Sequence, residues 1–550
     1  MALATASILL AGCLSDELAS RTDSQPLAQR SENAPVDEDQ QEDQGGSASG
    51  SSCVDILTNA DIGYGYEVTP DGLLVFWEGD ICESVIVDPN RCEVLGDMLG
   101  IDLEWTVVTQ HGRTRCGCRC EASKCDPSDD PTLTSYNAHG DGTPSNRYRV
   151  YNPAQLRSIS LNDAALGMHY LQCADVDFAG FYSDDNKYFT IGTEPKPFFG
   201  AFDGNDYKIE AFIYDVGGPF FGGTHVDELG LFGSMDGATL HNVKVYDATV
   251  RSPQGENIGT LVGFMRASEV SQSQGSGAVE GNETVGGLVG HASANSLIVE
   301  SSAATNVAIH EYRAGGLVGA LVASTVAKSS ASGNVAGDSA DELGGFVGDV
   351  YSNGLIQDSF ATGHVAGDIS VGGFSGTMHV GVVSRCHATG EVAGTESVGG
   401  FSGGLFNSTL ANVYSTGSVS GETWVGGFVG AAAYSSIANG YAAGSVAAQD
   451  FVGGFAGAGI GATVSSVFSL AQTIEGLTYV GAVVGGTQGG TFTNAYYWSG
   501  VSCANNNCNT DFATPKNHQS YFYSSYNAPL NLWDFVFVWE EVPGGTPVLK

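Results

Sequence analysis

The sequence predicts an all-β protein, most of it a parallel β-solenoid of about ten coils, each roughly 27–30 residues long, with a small disulfide-rich β module before it. Three observations support this fold class. A glycine-containing motif recurs at a near-constant interval, glycine makes up 77 of 550 residues, and short β-prone runs separate the motifs. Apolar residues are 42% of the chain, enough to build a core, so most of the chain is expected to be ordered.

The repeat is an apolar residue and a glycine, then usually a second glycine, two more residues and a closing glycine. The interval between the closing glycines of successive copies is nearly constant along the chain. One coil cannot bury its own apolar face, so neighbouring coils must stack on it. Glycine is expected to supply positive φ at the corners. The ten copies, each ending on its closing glycine, occupy residues 229–233, 258–263, 285–290, 314–319, 343–348, 371–376, 398–403, 425–430, 452–457 and 480–485.

The N-terminal residues 1–13 have the pattern of a lipoprotein signal peptide. Leu10-Ala11-Gly12-Cys13 is similar to a lipobox, and the short apolar run before it suits a signal sequence. No Lys or Arg precedes Cys13, although a signal peptide normally begins with a basic region. We therefore expect lipidation at Cys13 and an exported protein in the cell envelope, at the outer membrane or cell surface.

Three segments separate this signal from the solenoid. Residues 14–52 are acidic and rich in Ser and Gly, which predicts a disordered tether. Residues 53–125 contain seven cysteines among short β-prone runs, which predicts a small module of strands held by disulfides. Residues 126–146 are polar, with Pro, Asp, Gly and Asn, and are expected to form a linker.

The cysteine count favours disulfides over a metal site. In an exported chain this density of cysteine is typical of a disulfide framework. Cys116, Cys118 and Cys120 lack the usual zinc-knuckle spacing, so no metal is expected there. Seven is odd, so one cysteine of the module must pair elsewhere, with Cys173 as a candidate, and Cys503 and Cys508 are expected to pair locally. The candidates for disulfides are Cys53, Cys82, Cys92, Cys116, Cys118, Cys120, Cys125, Cys173, Cys503 and Cys508.

The repeats resemble the GLUG-motif repeats of bacterial surface and secreted proteins over about residues 229–490. The preceding residues 147–228 are similar to the leader of such proteins, for example at Phe199-Gly200-Ala201-Phe202-Asp203-Gly204-Asn205. Residues 491–550 resemble their closing segment, expected here as a C-terminal cap. The resemblance implies a β-solenoid and a surface role, and it carries over no catalytic residues.

One aromatic position recurs in the second half of five successive coils. The residues between and beside these aromatics are small or apolar, so a period of two places the two sets on opposite faces of a strand. The aromatics, and the polar residues two positions before them, are expected to face outward. Stacked outward rings could bind sugars or a partner protein, or could simply stabilise the sheet. The aromatics are Phe360, His387, Tyr414, Tyr441 and Phe468.

Acidic residues precede several repeats, but their pattern gives too few ligands to predict a calcium site. Asp368, Glu396, Glu422 and Asp450 give one carboxylate per coil, whereas calcium needs six to eight oxygen ligands. Asp203-Gly204-Asn205-Asp206 begins like a calcium loop, but Tyr207 occupies a ligand position. No metal and no other cofactor is predicted from these residues.

The overall charge restricts the partners of the protein. Acidic residues outnumber basic ones 61 to 21, a net charge of −40, which opposes binding to nucleic acids or anionic membranes. Membrane contact is therefore expected only through the N-terminal lipid. The leading hypothesis is a non-catalytic surface protein that binds a glycan or another surface partner. The alternatives are an envelope stalk without a ligand and a carbohydrate-active enzyme on a β-helix scaffold.

Overall fold

The computed structural model describes residues 125–183, 187–218, 226–503 and 508–550 and, before them, only the backbone of four strands between residues 67 and 120. Most of the described residues form a parallel β-solenoid of about 12 turns, which confirms the predicted fold class. The solenoid is longer than the repeats alone because the leader joins it. Tyr148–Val150 pairs with His169–Gln172, which pairs in turn with Ala201–Asp203 and then Thr239–His241.

One representative turn contains four strands. They are Ile369–Gly372, Ser375–His379, Val382–Ala388 and Val392–Ala393. Each pairs in parallel with its counterpart on the following turn, as when Val371 lies opposite Val398. A constant offset keeps like residues in register, so every turn covers the apolar face of the one before it.

In the ten turns that carry the repeat motif, the second strand contributes to a separate parallel sheet, the ten-stranded sheet. Its strands are Phe232–Asp236, Val262–Arg266, Val289–Ser293, Val318–Val322, Val347–Tyr351, Ser375–His379, Ser402–Phe406, Val429–Ala433, Ala456–Ile460 and Val484–Gln488. Each of these strands begins at the last two residues of the repeat motif, as Ser375–His379 does in the copy at residues 371–376. The first glycines of the motif, Gly372 and Gly373 in this copy, therefore lie at the corner between two faces of the solenoid.

The remaining strands of the solenoid form a 36-stranded sheet that wraps the other faces. In chain order they are Tyr148–Val150, His169–Gln172, Val176–Asp177, Ala201–Asp203, Lys208–Glu210, Ile213–Asp215, Thr239–His241, Lys244–Arg251, Glu256–Ile258, Glu269–Ser271, Gln274–Gly286, Leu297–Val299, Ser302–Gly315, Thr325–Ala327, Ser330–Ala331, Val335–Ala336, Asp341–Gly344, Leu355–Gln357, Phe360–Ala361, Val365–Ala366, Ile369–Gly372, Val382–Ala388, Val392–Ala393, Glu396–Gly399, Thr409–Ser415, Val419–Ser420, Thr423–Gly426, Ser436–Ala442, Val446–Ala447, Asp450–Gly453, Thr463–Ser469, Thr473–Glu475, Thr478–Gly481, Thr491–Trp498, Ser502–Cys503 and Thr514–Lys516.

The core of the solenoid consists of apolar columns that run along its axis. One column is a ladder of phenylalanine rings from the repeat motif, with centroids 4.7–4.8 Å apart and planes within 9° of parallel. The spacing equals the separation of hydrogen-bonded strands, so each ring stacks on the ring of the next turn. All five rings are fully buried. They belong to Phe346, Phe374, Phe401, Phe428 and Phe455.

The motif glycines serve close packing, which differs from the sequence-based expectation of positive φ. A Cβ on Gly373 would lie 2.3 Å from the carbonyl oxygen of Gly400, and one on Gly400 would lie 2.2 Å from that of Gly427. Left-handed φ is found instead at non-glycine residues, such as Ser370 and Trp424. The backbones of adjacent corners approach so closely that no side chain fits between them.

Buried serines complete the hydrogen bonding at the corners. The amide of Ser273 donates to Oγ of Ser301, and the amide of Ser301 donates to Oγ of Ser329, at 3.1 and 3.2 Å. The series continues from Ser329 to Ser359 at 3.1 Å. Because buried amides need a partner, these serine columns satisfy backbone donors that the bent strands leave unpaired. Cys386 occupies the next position of this column and is buried with a free thiol.

The N-terminal end of the solenoid is closed by a helix. Pro153–Ser160 begins after Asn152, whose side chain accepts a hydrogen bond from the amide of Gln155, and it buries Leu156 and Ile159. A 3-10 helix, Asp163–Ala165, follows it. The helix thus covers apolar residues of the first turn that no preceding strand could cover.

Residues 126–146, predicted as a linker, pack against this end of the solenoid. Asp129 binds Arg149 through Oδ2 at 2.5 Å and accepts a hydrogen bond from the Tyr151 hydroxyl at 2.7 Å. The ring of Tyr136 lies 5.4 Å from that of Tyr148. The segment therefore forms part of the folded leader.

Two smaller sheets lie outside the solenoid sheets. The Cys-rich module contains a four-stranded antiparallel sheet of Glu67–Val68, Leu73–Glu78, Leu103–Gln110 and Arg113–Cys120. The C-terminal residues form the 3-10 helices Gln519–Tyr523 and Leu530–Leu532 and an antiparallel pair, Trp539–Glu540 with Val548–Leu549.

Candidate functional site

The predicted aromatic residues form one continuous stack, here called the aromatic column. Neighbouring rings lie 5.1, 4.7, 4.8 and 4.9 Å apart, with planes 3–7° from parallel. Each residue is in register with its counterpart one turn on. The column members are Phe360, His387, Tyr414, Tyr441 and Phe468.

The predicted division into two faces is confirmed. Cys386 and Ala388, which flank His387, are fully buried inside the solenoid core. The rings of Tyr414, Tyr441 and Phe468 belong to a second cluster, separate from that core, on the outer side of the strands. The parity inferred from the sequence therefore holds.

The structure corrects the expectation that the column is open to solvent. Tyr414 is 6% exposed, Tyr441 is 1% exposed and Phe468 is fully buried, whereas Phe360 is 39% exposed. The C-terminal residues 519–550, here called the tail, cover the three buried rings. Three of the five predicted binding residues thus contact the protein itself.

Tryptophan rings and hydrogen bonds donated by side chains attach the tail to the column. Trp539 packs on Tyr414 and Tyr441 with centroids 6.1 and 6.4 Å away, and its Nε1 donates to Oδ1 of Asn412 at 3.1 Å. The hydroxyl of Tyr441 donates to the carbonyl of Pro547 at 3.0 Å. Phe468 lies 5.7 Å from Trp533. The tail therefore closes the outer face of the last turns in the way that a neighbouring domain would.

The column remains open at its N-terminal end. His387 is partly buried there, and burial lowers its pKa from 6.5 to about 4, so its imidazole is neutral at physiological pH. Arg385 forms an ion pair with Asp358, with Nη2 and Oδ2 separated by 2.6 Å. Side-chain exposures of 36% and 35% leave both groups accessible. The open end thus combines an exposed ring, Phe360, with a charged pair.

The acidic residues before the repeats do not form a single column. Glu396 is in register with Thr423, and Thr423 with Asp450, so these two carboxylates lie two turns apart. Asp368 and Glu422 each precede the next strand instead. At about 4.8 Å per turn, the first pair is too widely spaced to bind one calcium ion.

The loop that begins like a calcium site is held by ion pairs. Asp203 binds Nη1 of Arg147 at 2.8 Å, and Asp206 binds Nζ of Lys244 at 2.7 Å. Both acids therefore have cationic partners from other strands. This arrangement supports the interpretation of these residues as structural.

A second cluster, which the sequence analysis did not single out, lies on the outer side of the ten-stranded sheet. Ligand atoms of Glu342, Asp349 and His379 all lie within 4.8 Å of one another. Burial, and then the nearby Asp349, raise the pKa of Glu342 well above its ordinary value. Asp349 stands where the adjacent strands have Ala320 and Thr377. An aspartate at a small-residue position of the repeat is the signal that could have identified this cluster.

The cysteines follow the predicted pattern where the structure describes them. Cys125 pairs with Cys173, with Cα atoms 5.4 Å apart, and Cys503 pairs with Cys508, with Cα atoms 5.7 Å apart. Both predictions are confirmed. Cys13 and the side chains of Cys53, Cys82, Cys92, Cys116, Cys118 and Cys120 lie outside the described residues.

No protein-family model matches the chain. Over 175 residues, 30% of the chain, it is 31% identical to halomucin of Haloquadratum walsbyi, and the match spans 2% of that protein's length. A Bacteroides ovatus crystal structure provisionally named an immunoglobulin A1 protease matches 75% of this chain and 94% of its own, at 16% identity and a TM-score of 0.26. Within the described residues, no helix has the length and apolar character needed to cross a bilayer. In sequence, the chain is thus similar to a small part of a much larger protein.

Proposed function

We propose that this protein is a lipid-anchored surface solenoid of the GLUG-motif type that binds a glycan, without catalysis, at the open end of its aromatic column. The observation that carries the proposal is the 39% exposure of Phe360 at the end that the tail leaves uncovered. The similarity to halomucin favours a surface or secreted protein.

The open end has the groups that sugar recognition requires. Ser330, the residue in register with Phe360 on the preceding turn, has no ring, so one face of Phe360 is free of an aromatic neighbour. An aromatic face packs well on the apolar face of a pyranose ring. Asp358 and Arg385 lie beside it and can exchange hydrogen bonds with hydroxyl groups. A small number of polar groups around an apolar platform is typical of ligand sites.

The proposal is tested by measuring binding to a glycan array and then, by calorimetry, to the best oligosaccharide. We expect Phe360→Ser, which installs the serine of the preceding turn, to weaken binding about 5- to 150-fold, since a stacked ring contributes on the order of 1–3 kcal/mol. Tyr434→Ala is the matched control, because Tyr434 is 70% exposed at a different corner. Absence of glycan binding, or equal binding by Phe360→Ser, would contradict the proposal. Release of reducing ends from the same glycans would contradict its non-catalytic part.

A stalk without a ligand is the second candidate. The observation that favours it is the tail, which already occupies Tyr414, Tyr441 and Phe468. In a stalk, the column would serve only to attach its own C-terminal segment. A soluble wild-type protein that binds no glycan and no cell surface, while keeping its solenoid by circular dichroism, would support this candidate.

Membrane attachment is proposed to depend on Cys13, which lies outside the described residues. Palmitate labelling of cells that express the protein should give a labelled wild-type band and no label with Cys13→Ser. The same substitution should move the protein from the membrane fraction to the soluble fraction. Labelling that persists in Cys13→Ser would rule out this anchor.

A further inference from the structure

The cluster of Glu342, Asp349 and His379 contains a carboxylate that is buried and lacks a hydrogen-bond partner. Asp349 is fully buried, and neither of its carboxylate oxygens has a partner with hydrogen-bond geometry. The groups that face it are the carboxyl of Glu342 and the hydroxyl of Tyr351. Its neighbours in register are Ala320 and Thr377, so no need of the fold requires an acid at this position. Burying an unpaired carboxylate costs several kcal/mol. A ligand that binds the oxygens would remove this cost.

The net charge of the groups around Asp349 favours the binding of a cation. Glu342 is in the same cluster, and two ionised carboxylates would carry two negative charges. Arg313 supplies one positive charge, with its Nε 3.4 Å from Oε2 of Glu342. If both carboxyls are ionised, as they would be around a metal ion, one negative charge remains after pairing with Arg313. A small divalent cation can neutralise it, and it can bind the oxygens that lack donors.

The third ligand identifies the class of cation. His379 adds an imidazole nitrogen to two carboxylates, and its ligand atom is within 4.8 Å of theirs. Imidazole nitrogen favours zinc and neighbouring transition metals, whereas calcium prefers six to eight oxygens. Three protein ligands with one open position match the arrangement of catalytic zinc sites, and His, Asp and Glu are all ligands that zinc accepts.

Stacking holds the imidazole in place. The ring of His379 lies between those of Tyr351 and Phe406, at 5.0 and 4.8 Å and within 8° of parallel. The ring can therefore rotate little out of its plane. A ligand whose orientation is fixed before binding loses less entropy when the metal binds.

We propose that Glu342, Asp349 and His379 form a binding site for one divalent transition-metal ion of the zinc class, on the outer face of the ten-stranded sheet. The three residues come from two adjacent turns of the solenoid. The ion would therefore link these turns, in addition to the hydrogen bonds between their strands. The site is separate from the aromatic column, so neither proposal depends on the other.

The test measures zinc bound to untagged full-length protein, stripped with a chelator and then dialysed against zinc chloride. We expect the wild type to retain one equivalent more zinc than Asp349→Thr or His379→Phe. Each variant installs the residue that the following turn has in register, Thr377 or Phe406, so the fold should persist. Comparison with the variants separates this zinc from any bound by the Cys-rich module. In calorimetry, each variant should lose the strongest zinc isotherm or weaken it at least about tenfold.

Glu396→Thr is the matched control, because it removes one acid from another strand and installs the residue of the following turn, Thr423. It should bind as much zinc as the wild type. Cobalt bound to the wild type should give visible d–d bands that His379→Phe shifts or abolishes. Equal zinc content in the wild type and Asp349→Thr would overturn the proposal, with a proton shared by the two carboxyls as the explanation. Binding of calcium in preference to zinc would overturn the assignment to the zinc class.

Discussion

At the corners of each turn, the glycines allow close approach of two backbones, whereas the left-handed conformation is adopted by other residues. Gly373 allows two backbones to approach, since a Cβ there would lie 2.3 Å from the oxygen of Gly400. The left-handed positions are held by other residues, including Trp424 and Phe451 with φ of 57° and 53°. A left-handed residue other than glycine costs on the order of 1 kcal/mol. Strand pairing on both sides of each corner has to offset this cost.

Gly373→Ala should therefore destabilise the solenoid although it adds only one methyl group. The methyl would press on the backbone of the next turn, and such overpacking costs about 1–3 kcal/mol. Thermal unfolding followed by circular dichroism should show a lower midpoint. Gly217→Ala is the control, because a Cβ there would meet only Oδ1 of Asp215 at 3.5 Å. Equal midpoints for the two variants would show that the corner can relax.

The single imidazole of the aromatic column makes stability depend on pH. Burial lowers the pKa of His387 from 6.5 to about 4. Between these values the unfolded chain binds the proton and the folded chain does not, so the free energy of unfolding decreases as pH falls. The contribution of His387 approaches about 1.4 kcal/mol per pH unit.

His387→Tyr, which installs the residue of the next turn, should remove this part of the dependence. Denaturant unfolding at pH 4 to 7 measures it as the difference between the two profiles. His291, whose pKa is also lowered to about 4, is present in both proteins and cancels in the comparison. Parallel profiles would mean that His387 titrates equally in the folded and unfolded chains.

At the scale of elements, the tail covers an apolar surface that the last turns of the solenoid would otherwise expose. The strands that carry Tyr414, Tyr441 and Phe468 pair in register, which aligns the rings into a flat apolar surface. The tail covers it with Trp533 and Trp539, of which Trp539 is fully buried. Exposed apolar surface at the end of a repeat array favours aggregation, so a capping segment is a general requirement.

Trp539→Ala should release the tail and leave the solenoid folded. Loss of a buried tryptophan costs about 3–5 kcal/mol, which exceeds what the remaining contacts of a short segment can supply. Hydrogen exchange should increase in residues 519–550 and at the Tyr441 strand, and remain unchanged around Phe374. Phe537→Ala is the control, since Phe537 is 80% exposed in the same segment. Faster exchange throughout the solenoid would contradict this local effect.

At the scale of the molecule, the repeat length is a geometric constraint. Val371, Val398, Val425 and Val452 are counterparts on successive turns, and they are evenly spaced along the chain and pair without a register shift. The core ladder and the aromatic column both depend on this constant interval. A change of one residue in a strand would exchange its inner and outer faces.

Deletion of residues 371–397, which removes one complete turn, should yield a folded and slightly shorter solenoid. The deletion joins Ser370 to Val398 and places Tyr414 in register with Phe360. Deletion of residues 372–397 stops one position short of a complete turn and should unfold the turns around the junction. Circular dichroism and thermal unfolding distinguish the two, and similar stability of both deletions would contradict the register argument.

Much of this architecture could be predicted from the sequence because the repeat period and the alternation of side chains are local properties. The motif spacing indicated a parallel stack, and the small residues beside His387 indicated which face is inward. The odd cysteine count indicated that Cys173 pairs with a cysteine of the module, although not which one, and proximity along the chain indicated the pair of Cys503 and Cys508.

The tertiary structure alone decided what covers the outer face and which distant side chains meet. Trp539 lies far beyond Asn412 along the chain and still donates a hydrogen bond to it, and no periodicity could reveal that contact. Glu342, Asp349 and His379 converge because the turns stack, although their sequence positions differ from any simple motif. Periodicity determines how a chain repeats, whereas contacts between non-repeating segments depend on where the completed stack brings them in space.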